Sequence, residues 1–287
     1  MLRQSPFARL AEAINRSRLW HRQQRVWGRR MASASFDRWL YLLLHRANTM
    51  GAGERRVLEG IVRPGMTVLD VGANIGLYTT LFSGLVGPSG RVIAFEPDPH
   101  HFALLAKNCA LNGCTNVEMH NMALGSGRER LPLHKEILNS GNNFLGSSVS
   151  PHPNLTMEVD VVSIDEFLPE LQPDLVKIDV QGWEFKVLRG MERMLAANPK
   201  TALFIEFWPV GLRRAGCSPG DLLDYLAARN FRIFFTDGGH DAPLESGDLA
   251  DLALRPKHRR HIDLYAMRKR EPAYAPAANS GRRVTNP

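Results

Sequence analysis

Two acidic residues and two glycines in the N-terminal half of the chain have the spacing of a nucleoside-binding site. Asp70 and Gly72 lie at the end of a short apolar run, Gly76 follows in the next loop, and Glu96 ends the following apolar run. The glycines allow the backbone to turn sharply and to approach a ligand closely. A carboxylate at the position of Glu96 can accept hydrogen bonds from both hydroxyls of a ribose. The pattern therefore indicates a nucleoside ligand.

The glycine loop also distinguishes between two kinds of nucleoside. A dinucleotide site has three glycines, because a pyrophosphate must sit on the helix N-terminus, whereas here Asn74 stands in the second glycine position and the third glycine is absent. Asp70, directly before the loop, would repel a pyrophosphate but suits the cationic amino-acid end of S-adenosyl-L-methionine. The sequence therefore predicts S-adenosyl-L-methionine as the cofactor in preference to a nicotinamide dinucleotide.

Two further carboxylates, Asp179 and Glu206, end later apolar runs and are the candidate catalytic bases. Methyl transfer from a sulfonium is an in-line displacement to which alignment contributes most, and a base would accelerate reaction of a hydroxyl acceptor by about 10²–10⁴-fold. Asp179 is the first candidate, either as the base or as a ligand of the cofactor's ammonium group. Glu206 is the second, with a structural ion pair to Lys177 as the alternative.

Apolar runs alternate with helical segments around these residues. The runs that predict strands are 67–71, 91–96, 117–123, 174–179, 202–206, 231–235 and 262–267, and the predicted helices are 54–62, 75–85, 99–112, 184–197 and 221–229. Apolar strands separated by helices form a parallel sheet that is covered on both faces. The last two runs have no helical segment between them, which indicates a hairpin. We therefore predict a doubly wound, Rossmann-like α/β sheet, mostly parallel, with one antiparallel strand near the C-terminus.

Three segments are expected along the chain. Residues 1–49 are predicted to be a basic helical extension with helices over 1–30 and 36–45, residues 50–270 the catalytic domain, and residues 271–287 a disordered tail. A polar stretch over 136–153 interrupts the alternation and is either a lid over the substrate or a surface insertion. His134 and His152 flank it and are expected to be solvated. Trp183 and Trp208 either wall the acceptor pocket or pack in the core.

The composition is that of an ordinary globular protein, with unusual ends. The chain has 287 residues, of which 44% are hydrophobic and 23% charged, and a net charge of +7. Arginine and lysine concentrate near both termini, and such ends can contact nucleic acid, anionic lipid or acidic polysaccharide. The stacking aromatics and motifs of nucleic-acid modules are missing, which argues against a nucleic-acid partner and leaves a weak anionic contact of the termini as the alternative.

The cysteines predict a reducing compartment. Cys109, Cys114 and Cys217 make an odd count without CxxC spacing, so we expect reduced thiols and a cytoplasmic location. The histidines, cysteines and acids lack the spacing of a metal site, and no metal is expected. No apolar run approaches the ~18 residues of a membrane-spanning helix.

Several ordered motifs resemble those of the FkbM family of methyltransferases. They lie at residues 68–79, 94–97, 163–167, 177–184, 187–190 and 204–206. The resemblance implies a class I methyltransferase sheet, S-adenosyl-L-methionine as methyl donor, and an oxygen acceptor on a sugar or a polyketide-type product. The chain departs from the common pattern at Gln181, where the family often has Glu, so a catalytic or metal-binding carboxylate is not expected there.

The resemblance also implies roles for individual residues. The cofactor-binding residues would be Asp70, Gly72, Ala73, Asn74, Gly76, Glu96, Pro97, Asn121, Ala123 and Asp179. Asp70 would lie under the methionine end of the cofactor, Glu96 would hold its ribose, and Asn121 or Ala123 would border its adenine. Asp179 and Glu206 remain the catalytic candidates.

Three alternatives share part of this pattern. A nicotinamide-dependent oxidoreductase has the same fold and ribose acid, but it would need the third glycine. A nucleic-acid methyltransferase would use the basic ends, but its Asn/Asp-Pro-Pro-aromatic turn and its Pro-Cys are absent. A non-catalytic module of the same fold would not need the intact acids. We therefore expect O-methylation of a small-molecule or saccharide acceptor, on a carbohydrate or a glycosylated or polyketide-type product. The oligomeric state is not predicted.

Overall fold

An eight-stranded sheet lies at the centre of the computed structural model, which describes residues 22–33, 52–135, 143–146, 155–237, 240–243 and 262–268. The strands are, in chain order, β1 (Arg22–Val26), β2 (Arg29–Ser33), β3 (Thr67–Val71), β4 (Arg91–Phe95), β5 (Val117–His120), β6 (Ala123–Leu124), β7 (Glu129–Lys135), β8 (Phe144–Leu145), β9 (Leu155–Val162), β10 (Leu175–Ile178), β11 (Ala202–Phe207), β12 (Phe231–Asp237), β13 (His240–Pro243) and β14 (Ile262–Arg268). The helices are α1 (Ala52–Ile61), α2 (Leu77–Val86), α3 (Pro99–Leu111), α4 (Ile164–Phe167), α5 (Glu184–Arg189), α6 (Glu192–Ala197), α7 (Pro209–Arg214) and α8 (Pro219–Ala228).

The strand order of the central sheet is β13-β12-β14-β11-β10-β3-β4-β5. Strands β5, β4, β3, β10 and β11 are parallel neighbours, whereas β14 pairs antiparallel with both β11 and β12. The predicted mostly parallel, doubly wound sheet with an antiparallel strand near the C-terminus is therefore confirmed. A second antiparallel strand, β13, lies at the edge beside β12.

Successive residues of each central strand pack on opposite faces of this sheet. Val68, Val92 and Leu175 belong to one buried cluster, together with Leu58 of α1 and Phe82 of α2. The next residue along each of these strands belongs to a second cluster, which contains residues of α5, α6 and α8. The unbroken apolar runs of the sequence are thus explained, because both faces of the sheet are covered by helices.

The chain order reverses between β3 and β10. Strand β3 has β4 on one side and β10 on the other, and ligands of open α/β sheets bind at the carboxyl ends of strands at such a point. The glycine loop at residues 72–76 follows β3, Glu96 follows β4, and Asp179 follows β10. The fold therefore brings these predicted site residues to one edge of the sheet.

A second, four-stranded sheet, which the sequence did not predict, is formed by strands on both sides of the predicted polar interruption and one strand, β8, within it. Its order is β6-β9-β7-β8, with β7 and β9 paired antiparallel. The strand predicted over 117–123 is divided between the two sheets, because β5 ends at His120 and β6 begins at Ala123. Of the predicted lid at 136–153, residues 143–146 lie within the described part of the chain.

Gly190 divides the helix predicted over residues 184–197 into α5 and α6. A Cβ atom on Gly190 would lie 1.8 Å from the carbonyl oxygen of Gly125, so the chain passes too close to its neighbour for any side chain. The short helix α7 is not predicted by the apolar pattern. The other predicted helices and strands between residues 52 and 237 are present, with small shifts of their ends.

Residues 22–33 form a β-hairpin, so the helix predicted over residues 1–30 is wrong for its last part. Trp27 and Gly28 both have positive φ, 51° and 78°, which is the conformation of the type I′ turns that join two-residue hairpins. The Asn108 amide of α3 accepts a hydrogen bond from the β2 backbone at 2.7 Å and donates one to it at 3.0 Å. These two hydrogen bonds hold the hairpin against α3.

Most of the predicted N-terminal extension and tail lie outside the described residues. This applies to 1–21, to the helix predicted over 36–45, and to 271–287. The boundaries proposed for the catalytic domain therefore stay predictions. Among the helices in the described ranges, none combines the length and the apolar character needed to cross a membrane.

Candidate active site

The glycine loop after β3 adopts a conformation that requires its residue types. Gly72, Asn74 and Gly76 all have left-handed backbones, with φ of 77°, 51° and 87°, a region that glycine and asparagine occupy most readily. A Cβ atom on Gly72 would lie 2.0 Å from the carbonyl oxygen of Asp179. The loop is thus pressed against the end of β10, and the predicted cofactor loop and the first candidate base are neighbours.

Glu96 connects this loop to the end of β4. Its Oε2 atom accepts a hydrogen bond from the Asn74 backbone N–H at 2.8 Å, and its Oε1 atom accepts one from the Asp98 N–H at 2.9 Å. Burial raises the pKa of Glu96 to about 7, although the nearby His101 ring favours the ionised form. The carboxylate is therefore held in a fixed orientation at the strand ends.

The polar groups at the switch point suit an adenosine with a cationic tail. Glu96 and Asp179 are carboxylates, which accept hydrogen bonds from hydroxyl and ammonium groups and repel phosphate. Asn74 and Asn121 are neutral amides, whose oxygens also accept hydrogen bonds. The Asn121 amide donates to the backbone oxygens of Glu96 and Pro97 at 2.8 and 3.1 Å, which leaves its own oxygen as an acceptor. These residues fit S-adenosyl-L-methionine.

The other predicted cofactor residues occupy less direct positions. Ala73 is buried and donates its backbone N–H to the carbonyl oxygen of Phe95 at 3.0 Å. Ala123 is buried in the core cluster that contains β6, so Asn121 rather than Ala123 lies beside the end of β4. Pro97 takes part through its backbone oxygen.

Asp70 is fully buried beneath the glycine loop. Its Oδ2 atom accepts a hydrogen bond from the Thr79 hydroxyl at 2.6 Å, and its Oδ1 atom lies 3.4 Å from Lys177 Nζ. Lys177 also lies 3.5 Å from Asp179 Oδ2 and donates to the Gly72 carbonyl at 3.1 Å. Asp70 is thus joined to the loop and to Asp179 through Lys177, an ion pair different from the Lys177–Glu206 pair considered above.

Lys177 remains charged in this buried position. Burial alone would favour the neutral amine, but Asp179 and Asp70 outweigh it and raise the pKa of Lys177. The ammonium group therefore provides a fixed positive charge between two carboxylates. The sequence predicts Lys177 only as a partner for Glu206. A lysine within the apolar run of β10 is the sequence feature that indicates a buried, paired charge.

A group of four side chains, the Asp98 cluster, lies behind Glu96. It comprises Glu96, Asp98, His101 and Lys135. Lys135 of β7 reaches from the second sheet to 2.9 Å from Asp98 Oδ2, and the His101 ring lies 3.8 Å from the same oxygen. Burial opposes ionisation of Asp98, but His101 and Lys135 outweigh it and lower its pKa. Sequence reasoning did not identify this cluster.

The two candidate bases meet at the ends of β10 and β11. The side-chain amide of Gln181 donates to Asp179 Oδ1 at 3.2 Å and to Glu206 Oε2 at 2.8 Å. The Asp179 side chain is 36% exposed, whereas Glu206 is 5% exposed. Burial, together with Asp179 and Glu184, raises the pKa of Glu206 well above its ordinary value. We call Asp179, Gln181, Glu206 and Lys177 the Asp179 cluster.

The two tryptophans have different environments. Trp183 is 8% exposed and packs against Gly125 and Gly146 of the second sheet, which favours the core-packing interpretation. Trp208 is partly exposed at the start of α7, and the Arg214 guanidinium lies 5.0 Å from its ring and 3.8 Å from the Phe144 ring. Arg214 thus borders the same region, although its type and position gave no signal in the sequence.

The histidines predicted to flank the lid are only partly described. The His134 ring lies 2.7 Å from the carbonyl oxygen of Gly146 and stacks on Phe144 with the ring centroids 4.8 Å apart. It is therefore a packed, hydrogen-bonded residue and not the solvated one that was expected. His152 lies outside the described residues. Within the described ranges, no group of three His, Cys, Asp or Glu side chains could hold a metal ion.

Comparison with known proteins finds a family whose model matches this chain. The model of the family described as "Methyltransferase FkbM domain" matches residues 70–233. That span begins at Asp70 and includes the glycine loop, Glu96, Asp179 and Glu206. It does not include β14 or the hairpin at residues 22–33.

Three curated relatives resemble the chain over about half of its length. "Methyltransferase 1" of Beauveria bassiana is 28% identical, over 57% of this chain and 81% of that protein. "31-O-demethyl-FK506 methyltransferase FkbM" of Streptomyces tacrolimicus is 29% identical, over 46% of this chain and 61% of that protein. "Hexuronic acid methyltransferase AglP" of Haloferax volcanii is 29% identical, over 55% of this chain and 60% of that protein. The chain therefore spans less than two thirds of the second and third relatives.

Proposed function

Because the chain belongs to the FkbM family of methyltransferases, whose methyl donor is S-adenosyl-L-methionine, we propose that it methylates a hydroxyl oxygen of a carbohydrate or of a glycosylated or polyketide-type product. The observation that carries this proposal is the position of Asp179. Its carboxylate is 36% exposed, lies 3.5 Å from the Lys177 ammonium, and adjoins the loop that would hold the cofactor. A hydroxyl acceptor needs a base at this place, since it is a poor nucleophile.

The relatives support an oxygen acceptor in the same way. One is named for the demethylated oxygen of its substrate and another for a hexuronic acid, and both names describe hydroxyl-bearing molecules. The family match also favours methyl transfer over the hydride transfer of the nicotinamide alternative. The acceptor of this chain is proposed to be a small molecule or saccharide of the same kind.

The residues of the chain would divide the work between binding and proton transfer. The glycine loop and Glu96 would hold the adenosine, and the cofactor supplies a methyl group that moves from sulfur to the acceptor oxygen while sulfur keeps the electron pair. Asp179 accepts the hydroxyl proton as the new O–C bond forms. Lys177 would hold Asp179 in place through their ion pair and the loop through the Gly72 carbonyl.

Two measurements test this proposal in sequence. Isothermal titration with S-adenosylhomocysteine, with NAD as the control ligand, should show saturable binding of the former alone. Transfer of a labelled methyl group from S-adenosyl-L-methionine should then be screened on sugars, uronic acids and glycosylated products. The absence of S-adenosylhomocysteine binding would contradict the proposal at its first step.

Asp179→Asn separates the base from the cofactor ligand. If Asp179 is the base, its replacement by asparagine should lower kcat by about 10²–10⁴-fold. The affinity for S-adenosylhomocysteine should stay within about threefold of the wild type. Asp160→Asn, on an exposed carboxylate of β9, is the matched control and should change neither quantity. A parallel loss of affinity and rate in Asp179→Asn would instead assign the carboxylate to the cofactor's ammonium group.

A further inference from the structure

Gln181 is the residue that joins the two carboxylates of the Asp179 cluster. Its single amide nitrogen lies 3.2 Å from Asp179 Oδ1 and 2.8 Å from Glu206 Oε2. A primary amide has two N–H donors, so one is available for each carboxylate. The amide therefore connects the ends of β10 and β11 through side chains, beyond the last backbone pair of those strands at Ile178 and Ile205.

The backbone of Gln181 is held in a strained conformation. Its φ is 55°, a left-handed value that a glutamine adopts only when its surroundings impose it. Glu184 Oε1 accepts hydrogen bonds from the N–H groups of Val180 and Gly182 at 3.2 and 3.0 Å. Arg214 donates to the Gln181 carbonyl at 3.2 Å. Side chains of α5 and α7 therefore hold the turn through hydrogen bonds to its backbone.

Close packing against α7 also fixes the turn. A Cβ atom on Gly182 would lie 2.3 Å from the backbone of Gly211 in α7, so only a glycine at position 182 allows the turn and the helix to approach this closely. The Glu184 carboxyl group is fully buried, and its burial raises the pKa to about 7. Together these contacts hold the neutral Gln181 side chain in the position from which it donates to both carboxylates.

Charge explains why that side chain is an amide. Four ionisable groups interact directly with Asp179 or Glu206, namely Tyr78 of α2, Lys177 of β10, Glu184 of α5 and Asp263 of β14. Three more lie one contact further away: Glu54 of α1 interacts with Tyr78 and Asp263, Asp70 of β3 with Lys177, and Arg214 of α7 with the Gln181 carbonyl. Most of these groups are acidic, and burial, with Glu54 and Asp179, raises the pKa of Asp263. A glutamate at position 181 would add one more negative charge and remove both donors.

We propose that Gln181 is a positioning residue, whose amide holds Asp179 and Glu206 side by side so that the exposed Asp179 serves as proton acceptor while Glu206 stays behind it. The role of Asp179 rests on the proposed function, whereas the amide bridge does not. The glutamate that the family often has at this position could not donate a hydrogen bond to each of these carboxylates in this chain.

Gln181→Glu is the variant that tests the inference. With a third carboxyl group in place of the donors, a proton is shared within the cluster, and Asp179 becomes harder to ionise. We expect the acid limb of the pH profile of kcat/KM to move upward by about one pH unit, which is an approximately tenfold loss on that limb. Affinity for S-adenosylhomocysteine should stay within about threefold of the wild type.

Gln172→Glu is the matched control, because Gln172 is exposed just before β10 and receives the same added charge. It should leave the pH profile, the affinity and the thermal midpoint unchanged. Gln181→Met removes the donors without adding charge and should give a smaller shift in the same direction. A pH profile of Gln181→Glu that coincides with those of the wild type and Gln172→Glu would overturn the inference.

A measurement without an acceptor keeps the inference separate from the proposed function. In protein labelled with [γ-¹³C]aspartate, the Asp179 carboxyl resonance is assigned by its loss in Asp179→Asn and followed against pH. Its titration midpoint should rise by about one pH unit in Gln181→Glu and stay fixed in Gln172→Glu. An unchanged midpoint in Gln181→Glu would overturn the bridge even if the wild type methylates a sugar, and a raised midpoint would support it even if no acceptor is found.

Discussion

The Asp98 cluster and the Asp179 cluster lie at the same edge of the central sheet but balance their charge in different ways. In the first, Lys135 arrives from the second sheet, 2.9 Å from Asp98, and with His101 it lowers the pKa of that buried carboxyl group against the effect of burial. In the second, burial and the neighbouring acids raise the pKa of Glu206, and the Gln181 amide bridges the pair.

The difference shows that burial alone does not decide whether a carboxyl group is ionised. Asp98 and Glu206 are both at most 5% exposed, yet their pKa values move in opposite directions because one has a cation in contact and the other has an amide and more acids. Pairs of acids with separated pKa values are typical of sites that move protons. Glu96 and Asp98 are such a pair, since the pKa is raised in one and lowered in the other, but both side chains are buried. The Asp179 cluster differs because the Asp179 side chain is 36% exposed, so we expect Asp179 to reach an acceptor and the Asp98 cluster to fix the position of Glu96.

Lys135→Met should break the first cluster with the largest effect. Removal of one partner from a buried ion pair leaves a buried charge without compensation, so we expect the free energy of unfolding at pH 7 to fall by about 3 kcal/mol. Because the pKa of Asp98 is lowered in the folded state, its contribution is present above the unfolded-state pKa and is lost as pH falls through the folded-state pKa. In urea denaturation, the difference between the wild type and Lys135→Met should therefore stay near its pH 7 value at pH 5 and shrink below about pH 4.

The control for Lys135→Met lies on the same sheet. Arg130 and Asp160 pair across β7 and β9, with side chains 69% and 71% exposed, and exposed pairs contribute little. Asp160→Asn should change the free energy of unfolding by less than about 0.5 kcal/mol. Equal effects of Lys135→Met and Asp160→Asn would show that Asp98 does not depend on Lys135.

Glu96 gives the next largest effect, on cofactor affinity. Its pKa is raised to about 7, and ribose hydroxyls bind an ionised carboxylate better than a protonated one. Affinity for S-adenosylhomocysteine should therefore fall about tenfold between pH 8 and pH 6 as Glu96 takes up its proton. Titration calorimetry should show this slope in the wild type and a flat, weaker profile in Glu96→Gln; a wild-type affinity independent of pH would separate Glu96 from the ribose.

The sequence predicted the strand ends but not the contacts between them. Asp70, Glu96, Asp179 and Glu206 could be found because each acid ends an apolar run, and parallel strands bring such ends together. Their ionisation could not, since it depends on partners that are distant in the chain. Lys135 lies 37 positions from Asp98 and belongs to a second sheet that the sequence did not predict.

Two local features escaped prediction for different reasons. The bridge from Gln181 to Glu206 spans 25 positions and depends on a left-handed backbone that packing imposes. The helix predicted over residues 1–30 depends on the spacing of Phe7, Leu10, Ile14 and Leu19, all of which precede the hairpin at residues 22–33. Its Trp27-Gly28 turn signal is weaker than Asn-Gly, and the α3 amide that secures it lies 76 positions away.

Glu206→Gln tests the Asp179 cluster and should have the smallest effect of these substitutions. Because the folded-state pKa of Glu206 is raised, its contribution to stability is full below the unfolded-state pKa and is lost as pH rises toward the folded-state pKa. An amide imitates the protonated carboxyl group and can still accept the Gln181 hydrogen bond, so at pH 4 the free energies of unfolding should agree within about 1 kcal/mol. At pH 6 the variant should already be the more stable protein, by about 2 kcal/mol at most. At pH 9 the variant should be the more stable protein, since it has no proton to lose. If Glu206→Gln instead destabilised the protein more at pH 9 than at pH 6, Glu206 would be ionised in the folded state, and the two clusters would balance their charge in the same way.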